Sequence, residues 1–164
     1  MLLVYLALVG FILLGRRSKL YIPALSAALI ALVWTAAAGD IYMYNTENLV
    51  PFGVNLFPLF AWSAGLLSGY FLYLAALKLV KVKKSWQKLV LFNVLYVPIL
   101  IVLETVAYHA FGVVNEATSS YAGLAFCDCM HAPGWMQVVY FLMGTFYMLT
   151  IWAVRKLYGL GIWI

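Results

Sequence analysis

Charged residues are scarce in this chain. They make up only 9% of its 164 residues, whereas 67% are hydrophobic, and the mean hydropathy is +1.02. A soluble globule of this length cannot bury so much apolar side chain. The composition therefore excludes an ordinary soluble domain and predicts an integral membrane protein.

Long polar stretches are missing as well. Five apolar segments approach or exceed the roughly 20 residues that a helix needs to cross about 30 Å of hydrocarbon. They lie near residues 1–15, 20–38, 55–80, 88–111 and 135–154. The first is short, but its basic residues follow the apolar stretch, whereas those of a signal peptide precede it. We predict one all-α domain over residues 1–164, with five transmembrane helices and outer loops at 39–54 and 112–134.

The few charges are also unevenly placed. The ten basic residues lie only within 16–19, 78–88 and 155–156, which five helices would bring to one side of the membrane. Because basic residues mark the cytoplasmic side, we predict an outside amino terminus and a cytoplasmic carboxyl terminus in a multi-pass cell-membrane protein. The net charge of +5 is then a topology signal and does not indicate nucleic acid as a partner. All five acids, both histidines and both cysteines fall in the outer half, where the 23-residue loop 112–134 predicts a folded cap.

Glu104 is the strongest single candidate for chemistry. It lies 16 residues beyond Lys88, about 24 Å along a helix and therefore about 6 Å inside the outer edge of the hydrocarbon. An ionisable group at that depth is expected to be functional or paired, and its neutral form would be a proton donor. A structural hydrogen bond between helices is the alternative. Tyr108, four residues on, is the expected local partner, whereas His109 lies about 140° around the helix and faces another neighbour.

The segment CDCMH, residues 127–131, holds both cysteines of the chain. Cys127 and Cys129 are candidates for structural or unpaired thiols, for a strained and labile redox pair, or for metal ligands. In the metal hypothesis His131 completes a zinc or copper site, with His109 or Asp128 as a further ligand. These alternatives stay open at the level of sequence.

One resemblance covers residues 34–152. The order PFGVNLFPLFAW at residues 51–62, and an acid ending the fourth segment before a tyrosine-containing loop and a proline, resemble the membrane-embedded carotenoid enzymes of the lycopene cyclase and bacterioruberin hydratase type. The resemblance implies a small multi-helix protein that protonates polyenes with buried carboxylates, with Glu104 as the matching acid and Asp40 as the acid of the first hairpin. The cyclases' paired acids beside a proline are missing, since His131 precedes Pro133 here.

These observations favour an enzyme that acts on an apolar isoprenoid or lipid in the outer half of the bilayer. Its acid would be Glu104, supported by Asp40, His109, Asp128 and His131. The 17% aromatic content suits contact with a polyene or a quinone. Two alternatives are a non-catalytic subunit or homo-oligomer within a larger membrane complex, and a thiol-redox or metal protein. The sequence names no cofactor.

Overall fold

The described part of the chain is a bundle of four long helices. In a computed structural model that describes residues 10, 20–45 and 49–160, these are α1 (Tyr21–Ala38), α2 (Leu56–Leu79), α3 (Ser85–His109) and α4 (Gly134–Leu157). All four are long and apolar enough to cross a membrane. They agree with the last four predicted segments to within three residues at each end. The helix predicted over 1–15 lies outside the described residues, apart from Gly10.

Local sequence signals account for the helix ends. The side chain of Asn55 accepts a hydrogen bond from the Phe57 amide at 3.0 Å and so caps α2. Pro58 follows in the first turn, where the missing N–H costs no helical hydrogen bond. At the start of α3, the Gln87 side chain accepts from the amide of Lys84 at 3.0 Å.

The helices form a closed ring in which α1 packs on α2 and α4, and α3 packs on the same two helices. Aromatic side chains fill the middle, including a Phe92–Tyr96 stack with ring centroids 6.0 Å apart. The Tyr147 hydroxyl donates to the Pro23 carbonyl oxygen at 3.0 Å and joins α4 to α1. The bundle is thus held by aromatic packing supplemented by side-chain hydrogen bonds to the backbone.

The two ends of the bundle differ in charge. One end, the basic end, carries all seven described basic residues: Lys78, Lys81, Lys83, Lys84, Lys88, Arg155 and Lys156. The other, the loop end, carries segments 39–45, 49–55 and 110–133 together with the described acids Asp40, Glu104, Glu116 and Asp128. The charge separation expected for the predicted orientation is therefore present in the described bundle, and the orientation itself stays a prediction.

Two loop segments at the loop end, residues 41–45 and 112–116, are hydrogen-bonded to each other. Together we call them the cap. The amide of Asn45 donates to the Val114 carbonyl oxygen at 3.0 Å, and the Asn45 side chain bonds Gly112 O at 2.8 Å and Val114 N at 3.0 Å. The Asn115 side chain bonds the backbone of the other segment in the same way: it accepts from the Met43 amide at 3.1 Å and donates to Ile41 O at 2.8 Å. Two asparagines thus fasten the loops to each other.

Candidate functional site: an aromatic cavity beneath the cap

A cavity of about 280 Å³ lies between α2 and α3, directly beneath the cap. Its walls are mostly apolar and aromatic, with Trp62 from α2, Tyr96 from α3 and Tyr140 from α4. The cap contributes Tyr44 and Asn115. Such a space, walled by rings and holding few polar groups, is typical of a site for an apolar ligand.

Glu104 brings a carboxyl group into this cavity from α3, five residues before the helix ends. No hydrogen bond to the Glu104 carboxyl group is formed by any residue in the described part of the chain. The expected bond to Tyr108 is not made, because the Tyr108 ring instead stacks on His131 with centroids 4.7 Å apart and planes tilted by 25°. Among the described residues, the carboxyl group is therefore left without a hydrogen-bond partner from the protein.

A cluster of aromatic side chains surrounds one hydroxyl beside the cavity. The Tyr42 hydroxyl accepts hydrogen bonds from the indole N–H of Trp34 and, at 3.1 Å, of Trp62, and it donates to the Tyr140 hydroxyl at 3.3 Å. Burial under the cap raises the pKa of the Tyr42 phenol and that of Tyr44. Both phenols therefore stay neutral. We call Trp34, Tyr42, Trp62 and Tyr140 the aromatic cluster.

The two histidines hold the long loop in place. His131 lines the cavity, and its Nδ1 and Nε2 lie 2.9 and 3.2 Å from the carbonyl oxygens of Tyr121 and Asp128. His109 does not line the cavity; its Nε2 lies 2.9 Å from the Cys127 carbonyl oxygen. Both rings are therefore engaged with backbone oxygens, which suits positioning better than proton transfer.

Cys127 and Cys129 form a disulfide inside the turn 124–129. The turn is closed by the amide of Leu124, which donates to the Cys129 carbonyl oxygen at 2.8 Å. Paired sulfurs are not the thiolates that zinc or copper binds, and among the described residues no group of three or more His, Cys, Asp or Glu side chains is arranged to hold a metal ion. In this structure the two cysteines are thus paired with each other, and the redox and metal hypotheses for Cys127, Cys129 and His131 stay predictions.

Of the five residues predicted to be catalytic, the fold brings two together in the cavity wall, Glu104 and His131. Asp40 is exposed in the 3-10 turn after α1 and does not line the cavity. Asp128 directs its carboxylate to the surface, with 73% of the side chain exposed, 3.4 Å from His131 Nε2. His109 and Asp128 thus lie near the site without reaching into it.

Sequence reasoning missed most of the aromatic wall. One signal was available on α3, where Tyr96, Leu100, Glu104 and Tyr108 recur every four residues and all four line the cavity. No comparable signal links Tyr42, Trp62 and Tyr140, because they come from three separate parts of the chain.

Comparison with known proteins gives no match: no family model, no curated protein and no solved structure matches this chain. The interpretation of the site therefore depends on its own geometry.

Proposed function

We propose that this multi-pass membrane protein is an enzyme that binds an apolar isoprenoid or lipid in the cavity and protonates it through Glu104. The proposal rests on the Glu104 carboxyl group. Glu104 belongs to a candidate spanning helix, its carboxyl group lines an aromatic cavity, and it has no hydrogen-bond partner among the described residues. The resemblance to carotenoid enzymes supports the same residue.

The surroundings favour a neutral, proton-donating carboxyl group. A charged side chain costs about 2.5–3.5 kcal/mol at the centre of the hydrocarbon by insertion scales and less towards its edge, and no described lysine or arginine lines the cavity to offset that cost. A protonated carboxyl group can donate its proton to a carbon–carbon double bond of a bound ligand. The carbocation that forms then loses a proton from a neighbouring carbon or is captured by water, and the carboxylate regains a proton from water. General acids of this kind contribute roughly 10²- to 10⁴-fold to a rate.

The stacking of Tyr108 on His131 in the cavity wall supports a positioning role for His131. The Tyr108 ring follows Glu104 by one helical turn and lies against His131, whose two ring nitrogens lie 2.9 and 3.2 Å from carbonyl oxygens of the loop. The two stacked rings and the Glu104 carboxyl group line the same cavity. We assign Tyr108 and His131 to orienting the ligand and Glu104 to the chemistry.

Deuterium transfer tests the acid role. Protein in membrane vesicles is incubated in D₂O with the isoprenoid fraction of the cells that express it, and carbon-bound deuterium is measured by mass spectrometry. We expect Glu104→Gln to lower incorporation at least 100-fold. The matched control is Glu116→Gln, because Glu116 is an exposed acid of the cap and does not line the cavity. Equal incorporation by wild type and Glu104→Gln would overturn the proposal.

A second candidate function is that of a non-catalytic membrane subunit. The observation that favours it is α3, where only Phe92, Tyr96 and Leu100 are buried, so that a long apolar face including Val90 and Val94 is uncovered. Native mass spectrometry in mild detergent tests it. A stoichiometric partner or a second copy would support this candidate, and a monomer that keeps deuterium transfer would exclude it.

A further inference from the structure

We propose that the ligand enters this cavity from the bilayer, through a slot between α2 and α3, and that it is a prenylated ring molecule. Its flat head would occupy the cavity beside Glu104, and its isoprenoid tail would stay among the lipids. This inference deepens the proposed function, on which it rests for the assumption that the cavity binds an apolar ligand.

The size of the cavity sets the size of the head. An apolar cavity of about 150 Å³ holds benzene, so the 280 Å³ available here accommodates about two fused rings. A long-chain lipid or an extended polyene is several times larger. Only one end of such a molecule fits inside, and the remainder must leave the cavity.

The way out lies between two helices. Ala61 and Gly65, one turn apart on α2, line the cavity with minimal side chains, and a Cβ added at Gly65 would meet no atom within 4 Å. Across from them α3 contributes Leu103 and Val106, which also line the cavity although 51% and 42% of their surfaces are exposed. Lining residues that are exposed on the side of a spanning helix mark an opening towards lipid.

Described residues cover two other sides of the cavity. The two asparagines of the cap, Asn45 and Asn115, bind the loops together over its top. The buried rings of Trp62 and Tyr140, with centroids 5.0 Å apart, close it towards the bundle centre. Entry from the bilayer therefore needs no movement of the cap.

The lining selects the chemistry of the head. The rings of Trp62, Tyr96 and Tyr140 offer surfaces for a flat, unsaturated group. The carboxyl group of Glu104 needs an acceptor such as a ring carbonyl oxygen. Since no lysine or arginine among residues 20–45 and 49–160 lines the cavity, a phosphate headgroup would find no cationic partner there. These features together favour a ring with a carbonyl group, as in a prenylated quinone.

Tryptophan fluorescence measures binding directly. The full chain in phosphatidylcholine liposomes is titrated with a 1,4-naphthoquinone bearing a four-isoprene tail, which quenches a nearby indole, and Trp62→Phe assigns the signal to the cavity. We expect saturable quenching. The same ring without its tail, and a linear four-isoprene alcohol as competitor, should each bind at least tenfold more weakly. Equal binding of the linear alcohol would overturn the assignment of a ring head.

Filling the slot tests the route. In the series Gly65→Ala, Gly65→Val and Gly65→Leu, affinity for the prenylated naphthoquinone should fall stepwise, at least tenfold by leucine. The control is Gly134→Leu, because Gly134 also has open space around its Cβ position but does not line the cavity. Thermal unfolding identifies the folded members of the series, and the smallest substitutions keep the test valid if Gly65→Leu does not fold. Unchanged affinity in any folded valine or leucine variant would overturn the slot.

The two proposals can fail separately. In Glu104→Gln the amide still donates a hydrogen bond, so we expect binding within a few-fold of wild type while deuterium transfer is lost. Binding that depends on the slot, together with transfer that survives Glu104→Gln, would overturn the acid role and support the ligand class. If the Gly65 substitutions leave the affinity unchanged while Glu104→Gln abolishes deuterium transfer, the slot is overturned and the acid role is not.

Discussion

Tyr42 is the residue on which the aromatic cluster depends. Its single hydroxyl serves two indole N–H groups and donates to Tyr140, and its carbonyl oxygen accepts from the Asn55 side chain at 3.1 Å. The residue thereby ties the cap to α1, α2 and α4. A phenol in this position is worth more to the fold than its apolar area implies, since its loss leaves donors without acceptors.

Removing that hydroxyl tests the point. We expect Tyr42→Phe to lower the free energy of unfolding by about 2–4 kcal/mol, because two indole donors lose their acceptor at about 1–3 kcal/mol for each that is buried. Thermal unfolding in detergent measures this, with Tyr158→Phe as control because Tyr158 is exposed. A midpoint for Tyr42→Phe equal to that of the control would contradict the role assigned to the hydroxyl.

Alkaline pH acts on the same residue. Burial raises the pKa of Tyr42 and Tyr44 in the folded protein above the unfolded value of about 10. Their stabilising contribution is therefore complete below pH of about 10 and is lost as the pH rises further, since only the unfolded chain then ionises. Denaturant unfolding between pH 8 and 11 should show this decline, and Tyr42→Phe should reduce its slope. An identical slope in the variant would exclude Tyr42 as a source.

At the scale of elements, helices α3 and α4 approach each other closely at Gly144 of α4. A Cβ placed there would lie 2.6 Å from Tyr96 Cδ1 on α3, and the Tyr96 hydroxyl is fixed by its 2.8 Å bond to the Tyr140 carbonyl oxygen. The small-residue spacing of Gly65 and Gly69 is more conspicuous in the sequence. However, Gly65 borders the cavity, and Gly69 makes only an ordinary contact with Phe92 at 3.7 Å.

Gly144→Ala tests whether the close approach of Tyr96 requires a glycine at this position. Alanine in place of glycine usually stabilises a helix by about 1 kcal/mol. Overpacking costs about 1–3 kcal/mol, so at Gly144 we expect net destabilisation, whereas Gly134→Ala, with open space around its Cβ position, should be neutral or stabilising. Chemical unfolding of both variants measures the difference. A stabilised Gly144→Ala would show that α3 and α4 are further apart than described.

We expect the disulfide to stabilise the loop that contains it more than the helix bundle. A cross-link over so few residues contributes about 1.5 kcal/mol by the chain-entropy model, less than a long-range bridge. Cys127→Ser combined with Cys129→Ser should therefore leave the bundle folded and speed amide exchange mainly in 124–131. Hydrogen–deuterium exchange by mass spectrometry checks this, with the cap at 112–116 as internal reference. Global loss of protection would contradict a local role.

At the scale of the whole molecule, the separation of charge predicts orientation. Basic residues cluster on the cytoplasmic side of membrane proteins, so we expect the basic end inside and the loop end outside. In the variant lacking both cysteines, an impermeant maleimide should label Ser119→Cys on intact cells, whereas Lys81→Cys should require permeabilisation. Both positions are exposed, which makes them a matched pair. The reverse pattern would contradict the orientation.

Sequence alone located the four described spans and singled out Glu104 as the candidate acid. Both depend on local properties, namely a run of apolar residues long enough to cross hydrocarbon and a carboxyl group interrupting such a run. The four-residue recurrence of Tyr96, Glu104 and Tyr108 also lay within reach, because one helix determines its own faces.

Only the tertiary structure decided which residues share the cavity with Glu104. Spanning helices are apolar on all sides, so their periodicity does not show which face meets protein and which meets lipid. Tyr42 and Tyr140 are 98 residues apart and meet through packing of the cap on the bundle. The same packing left Asp40 outside the site, paired Cys127 with Cys129 and engaged His109 with the loop backbone. Local chemistry determined the helices and the candidate acid, and long-range packing determined which residues surround it.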